Sequence, residues 1–215
     1  MRFIKVNGRG TTFCPGCQKK VGKPLRIAIV GKIASGKSEV LSIFRKQKYL
    51  ALSSDAIVHE LYQKEEIQAL INKKLKIKEN GDFLTTLREH LKVNSKDLTR
   101  LEKIVHPLVK KEIEKQFKDS KSPLLVAEVP LLFKAKMENM FDVIIAVDID
   151  EKIQLDRLQI RDQEKSAFLK RINDDNNLLD EHQDDIDYVI KNNGDISSLE
   201  KEVIAIINKV SSRLD

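Results

Sequence analysis

Apolar positions along this chain change their spacing several times, and each change marks an element. Leu25 to Val30 is a mainly apolar run, the pattern of a strand covered on both faces. Beyond Ser38, the residues Val40, Leu41, Ile43 and Phe44 fall at helical spacing behind Glu39. Tyr49 to Ser54 reads as a short strand, and Asp55 opens a helix over Ala56 to Gln63. From Glu65 to Lys118 the period is helical throughout. Within that block Leu98, Leu101, Val105 and Leu108 form a stripe, which Pro107 interrupts. The proline predicts a break after Val105 or His106, with a new helix starting at Pro107.

Strand character returns at Pro123 to Val129 and at Asp142 to Asp148. Helices are expected over Glu151 to Arg161 and about Glu164 to Asp174, then a short strand over Asp187 to Lys191. In a last helix from Ser197, Leu199, Val203, Ile206, Val210 and Leu214 share one face. Strands alternating with helices predict an α/β fold, a parallel sheet flanked by helices, with a ligand at its carboxyl edge. Residues 65–118 then form a helical insertion in a domain spanning 25–215.

Composition narrows the picture. A chain of 215 residues and 24.6 kDa suits one domain. Its longest apolar stretches are too short to span a bilayer and its first residues lack a signal-peptide pattern, so a cytoplasmic address and no membrane partner are expected. A formal charge of +6 and a pI near 9.1 favour anionic partners. The lysines are dispersed and aromatic residues make up only 5% of the chain, which argues against a nucleic-acid binder that stacks bases. A small anionic molecule fits better, and nothing in the pattern sets an oligomeric state.

Chemistry concentrates between the first strand and its helix. Gly31-Lys32-Ile33-Ala34-Ser35-Gly36-Lys37-Ser38 has the spacing and the strand-to-helix context of a P-loop. Backbone N–H groups of such a loop and the positive end of the following helix surround phosphates. Lys37 reaches the β- and γ-phosphates, the Ser38 hydroxyl holds Mg²⁺, and Gly31 and Gly36 stand where a side chain would crowd the anion. The expected ligands are a nucleoside triphosphate and Mg²⁺.

Phosphoryl transfer further needs a base, metal support and cations. Asp55, at the end of the second strand, is the candidate base and also a candidate N-cap. Glu128 closes an apolar strand, where an acid supports Mg²⁺. Arg157 and Arg161 lie one helical turn apart and repel unless an anion sits between them. Together with Arg171 they predict a lid over 161–175. His106 is either an acceptor contact or a capping or core group.

From Leu25 to Ile207 the chain resembles the dephospho-coenzyme A kinase family. The resemblance rests on the P-loop, Ser54-Asp55-Ala56 with His59, Leu101-Glu102 with His106-Pro107, and Glu128-Val129-Pro130-Leu131-Leu132-Phe133. It extends to Arg157, Arg161, Arg171 and Asp187-Tyr188-Val189-Ile190 with Asn192 and Gly194. It implies ATP-dependent phosphorylation of the ribose 3′-hydroxyl of dephospho-coenzyme A, with Asp55 as catalytic aspartate and 65–118 as the substrate domain. Lys37 and Arg161 join Asp55 in catalysis on this reading. Asn192 belongs with the nucleotide-binding residues, and His59, Arg88 and His106 with the acceptor. The chain departs from the family at Lys32, Glu39, Ser53, Glu128, Lys134 and Asp175. Thr85 and Thr86 occupy the region of an expected arginine, for which Arg88 substitutes. The residues alone also admit a nucleoside or sugar kinase on the same scaffold, or a nucleotide binder without transfer.

Residues 1–24 stand apart. Val6 to Lys19, with Cys14-Pro15-Gly16-Cys17, resembles the second half of the zinc finger that ends formamidopyrimidine-DNA glycosylases. The chain has no other cysteine, and a tetrahedral zinc site takes four ligands. This segment is expected to be a non-core extension without zinc.

Overall fold

The computed structural model describes residues 2–6, 9–13, 23–78, 81–159, 181–212 and 214. The expected lid, including Arg161, Arg171 and Asp175, lies outside these residues, as does the Cys14-Pro15-Gly16-Cys17 segment. Strands β1 (Arg2–Val6) and β2 (Arg9–Phe13) pair antiparallel, Arg2 opposite Phe13 and Val6 opposite Arg9.

A second sheet organises the rest. It contains β3 (Leu25–Gly31), β4 (Leu50–Ser53), β5 (Leu124–Glu128), β6 (Val143–Asp148) and β7 (Tyr188–Lys191), in the spatial order β4-β5-β3-β6-β7. Every neighbouring pair is parallel. All five carboxyl ends therefore share one edge, and Gly31, Ser53, Glu128, Asp148 and Lys191 lie along it. From central β3 the chain goes to β4 and β5 on one side, then to β6 and β7 on the other. That reversal places the carboxyl end of β3 at the crevice where open α/β sheets bind ligands.

Residues of β3 alternate between two layers because successive side chains of a strand face opposite ways. Ile27 and Ile29 pack with Val40, Leu41 and Phe44 of α1 (Lys37–Lys46) and with Val203 of the last helix, α7 (Ile196–Ser211). Ala28 and Val30 belong to the opposite layer. That layer is built from α2 (Ser54–Tyr62), α3 (Glu65–Leu75), α4 (Phe83–Val93) and α5 (Asp97–Asp119). The remaining described α-helix, α6 (Glu151–Gln159), follows β6. Among the described residues no helix is long and apolar enough to cross a membrane.

Two local expectations are corrected. Helix α5 runs unbroken through Pro107 for 23 residues. A proline inside a helix costs about 3 kcal/mol. Leu101, Val105, Val109, Ile113 and Phe117, spaced by four, are buried on both sides of it, each contributing about 1.5–3 kcal/mol. Burial of one continuous stripe therefore outweighs the missing hydrogen bond. The stripe is also rotated from the expected one, since Leu98 is 40% exposed. The second correction concerns the cap of α2, where Ser53 rather than Asp55 is the N-cap and its Oγ accepts from the Ala56 N–H. The helix begins earlier than expected, at Ser54, which puts Asp55 in its first turn and leaves its carboxylate exposed.

Ile113→Ala should lower stability in urea unfolding by about 2–5 kcal/mol, whereas Leu98→Ala should change it by no more than about 0.5 kcal/mol. Equal losses would mean that α5 packs through the other stripe.

Candidate active site

Strand β3 passes into α1 through a loop whose glycines have specific steric causes. At Gly31, φ is 152° and a Cβ would lie 2.4 Å from the Val147 carbonyl oxygen. At Gly36, φ is 91° and a Cβ would lie 2.3 Å from Asn192 Nδ2. Ala34 also has positive φ, 57°, although it carries a side chain. That conformation costs an L-residue roughly 1–2 kcal/mol.

The surrounding structure holds the loop through its carbonyls. Lys37 Nζ donates to the Gly31 and Lys32 carbonyls at 3.0 and 2.9 Å. Gln154 Nε2 donates to Ile33 at 2.9 Å, Arg157 to Ala34 at 3.5 Å, and Asn192 Nδ2 to Ser35 at 2.7 Å. Arg157 also donates to the Asn192 carbonyl at 3.2 Å, tying α6 to the segment after β7. The Lys32 ammonium meets Asp148 at 2.8 Å on the neighbouring strand end. All five carbonyls from Gly31 to Ser35 thus have side-chain donors. The loop leads into the first turn of α1, where the N–H groups of a helix lack intrahelical acceptors and its dipole is positive. Two glycines whose Cβ positions are already occupied and a positive helix end fit a chain of phosphates.

Beside the loop stand two carboxylates of different character. Glu128 is buried, 5% exposed, at the end of β5, and Ser38 Oγ donates to its Oε1 at 3.4 Å. Burial pushes its carboxyl above the usual range, and the Asp55 charge adds to this. Lys37, the Ser38 hydrogen bond and Arg45 oppose it. Hydroxyl and carboxylate oxygens are hard donors that suit Mg²⁺, which usually takes one or two protein ligands and completes its shell with water and phosphate. Among the described residues no group of three or more His, Cys, Asp or Glu forms a protein-only metal cage.

Two cavities meet here. One, of about 630 Å³, is lined by the loop with Asp55, Glu128, Arg157 and Asn192. The other, of about 720 Å³, is lined by Tyr62, Leu101, Val105, His106, Lys134 and Met137 among others. Ile33, Asp55 and Pro130 border both. His106 faces the second cavity, and burial holds its imidazole below the ordinary histidine range, Lys134 adding to the effect and Glu102 opposing it. His59 is exposed on α2 and Arg88 is exposed on α4, and neither lines either cavity. Gln154 escaped the sequence reading. No local signal marks it, and in the structure it is 1% exposed.

A nucleotide cradle and a second cavity sharing one exposed carboxylate follow the plan of a P-loop kinase, in which donor and acceptor enter from different sides. Comparison with known proteins narrows the class. The family model for dephospho-CoA kinase matches residues 25–198, and the chain belongs to that family. The dephospho-CoA kinase of Protochlamydia amoebophila is 35% identical over 189 residues, covering 83% of this chain and 92% of its own. The crystal structure of TT1252 from Thermus thermophilus is 25% identical with a TM-score of 0.70, covering 86% of this chain and 97% of its own. Dephospho-CoA kinase from Campylobacter jejuni shares the fold with a TM-score of 0.61 at 21% identity, covering 87% of this chain and 98% of its own.

The raised Glu128 pKa has a defined linkage. The native state holds this proton more tightly than the unfolded chain does. The stabilising contribution is therefore full below the ordinary carboxyl value near 4.5 and is lost as pH rises through the raised native value. Glu128→Gln should raise the Tm of the nucleotide-free protein at pH 7.5, by a margin that shrinks toward pH 4, while activity falls. A Tm difference independent of pH would contradict this. Gln154→Leu leaves the Ile33 carbonyl without its side-chain donor, a loss of about 1–3 kcal/mol, and calorimetry should find ATP binding roughly tenfold weaker. Unchanged affinity would show that this tether does not shape the loop.

Proposed function

We propose that this protein transfers the γ-phosphoryl group of ATP to the 3′-hydroxyl of dephospho-CoA, giving coenzyme A and ADP. The observation that carries the reading is Asp55, exposed and bordering both cavities at the carboxyl edge of the sheet. Membership of the dephospho-CoA kinase family selects the acceptor.

In this reading the triphosphate lies along residues 31–38. Lys37, held by two loop carbonyls in the ligand-free arrangement, turns its ammonium to the β- and γ-phosphates. Asp55 accepts the proton of the acceptor hydroxyl as that oxygen bonds to the γ-phosphorus and the bond from phosphorus to the β,γ-bridging oxygen breaks. Ser38 and Glu128 would hold Mg²⁺, which neutralises charge on the phosphate oxygens. Arg157 keeps the loop curled, and Arg161, outside the described residues, is the further cation assigned to the transferred group. His106, held neutral by burial, offers the acceptor a hydrogen bond without adding charge.

The test supplies ATP, Mg²⁺ and a panel of alcohols, with 3′-phosphorylation of dephospho-CoA followed by mass spectrometry. Turnover confined to nucleosides or sugars would end the reading. Asp55→Asn should lower kcat by about 10²–10⁴-fold while ATP affinity stays within about twofold. An unaltered rate would remove the base from the mechanism.

A further inference from the structure

The second cavity has an unusual charge distribution. Asp55 and Glu102 place two carboxylates in its wall, and Tyr62, Leu101, Val105 and Val109 make much of the remainder apolar. His106 is biased toward its neutral form. Among the described residues lining it, Lys134 is the only lysine or arginine. An acceptor nucleotide carrying a diphosphate would bring negative charge into this space, and the described part of the wall offers it one full cation.

Lys134 is placed firmly enough to serve. It lies in a compact turn after Pro130, in which Ala135 N–H donates to the Leu131 carbonyl at 2.8 Å, Lys136 to Phe133 at 3.1 Å and Met137 to Leu132 at 3.0 Å. Leu132 and Phe133, just before it, are buried and anchor that turn in the core. Its Nζ donates to Glu102 Oε1 at 2.6 Å. The lysine side chain is 46% exposed and that of Glu102 is 16% exposed, so the cation is the accessible partner. An ammonium has three donors, of which this pairing uses one. Partly exposed ion pairs contribute only about 0–1 kcal/mol, so a diphosphate with more charge than one carboxylate can share or take over the lysine.

We infer that Lys134 is the anchor for the diphosphate of the acceptor nucleotide, with Glu102 holding its ammonium ready in the cavity wall. This rests on the proposed acceptor and adds to it a residue that selects for the charged part of that molecule. A purely structural staple between α5 and the turn is the competing role, and it would not distinguish acceptors by charge.

Direct binding and steady-state kinetics with dephospho-CoA separate these roles. Lys134→Ala should raise the Kd and KM for dephospho-CoA about tenfold, with kcat and the KM for ATP changed less than twofold. Lys134→Arg should restore most of the affinity. Adenosine, which lacks the diphosphate, should inhibit the wild type and Lys134→Ala with equal constants. The dependence of dephospho-CoA affinity on KCl should be shallower in Lys134→Ala. Unchanged dephospho-CoA affinity in Lys134→Ala overturns the inference, as does an equal loss of adenosine and dephospho-CoA affinity. If the wild type binds dephospho-CoA without phosphorylating it, the proposed reaction fails while the binding comparison still decides the role of Lys134. Absence of any dephospho-CoA binding overturns both.

Discussion

A loop that gathers its amides around a polyanion must dispose of its own carbonyls, since oxygen dipoles facing phosphate would repel it. Here the solution is to give the carbonyls from Gly31 to Ser35 to side chains. Lys37 takes two, and Gln154, Arg157 and Asn192 take one each. The rest of the site depends on that arrangement. Helix α6 and the end of β7 must sit where they do for the donors to reach, and the parallel order of β3, β6 and β7 sets those positions. Gly36 can approach Asn192 closely only because it lacks a Cβ.

The same edge of the sheet holds groups that the fold would be more stable without. Glu128 is an acid among buried aliphatic residues, with Lys37 partly compensating it and Asp55 working against it. Ala34 adopts a backbone conformation that favours glycine. Such departures from local preference, concentrated within a few residues of the sheet edge, are the pattern expected where structure serves chemistry rather than stability.

Much of this architecture was legible in the sequence because its signals are short-range. Apolar runs gave β3, β5 and β6 nearly to the residue, and the helical period gave α1 and the amphipathic face of α7. The P-loop was legible because its glycine spacing has a steric origin. What was misread depended on partners distant in sequence. Pro107 is a reliable helix breaker for an isolated segment, but the core beneath α5 holds Val105 and Val109 on either side of it. Asp55 has the chemistry of an N-cap, yet Ser53 captures the Ala56 N–H because α2 starts earlier. Gln154 looked like an ordinary polar position, since nothing local reveals that it meets Ile33 across 121 residues. His59 and Arg88, drawn in by resemblance, are exposed on α2 and α4 and line neither cavity.

The tethering of the loop also bears on how the chain is made. Lys37 is synthesised early, but Gln154, Arg157 and Asn192 emerge from the ribosome more than a hundred residues later. A nascent chain carrying only the first strands has the glycine-rich segment and Lys37 without the other three side chains that donate to its carbonyls. The curl of the loop is thus completed only by side chains from the last third of the chain.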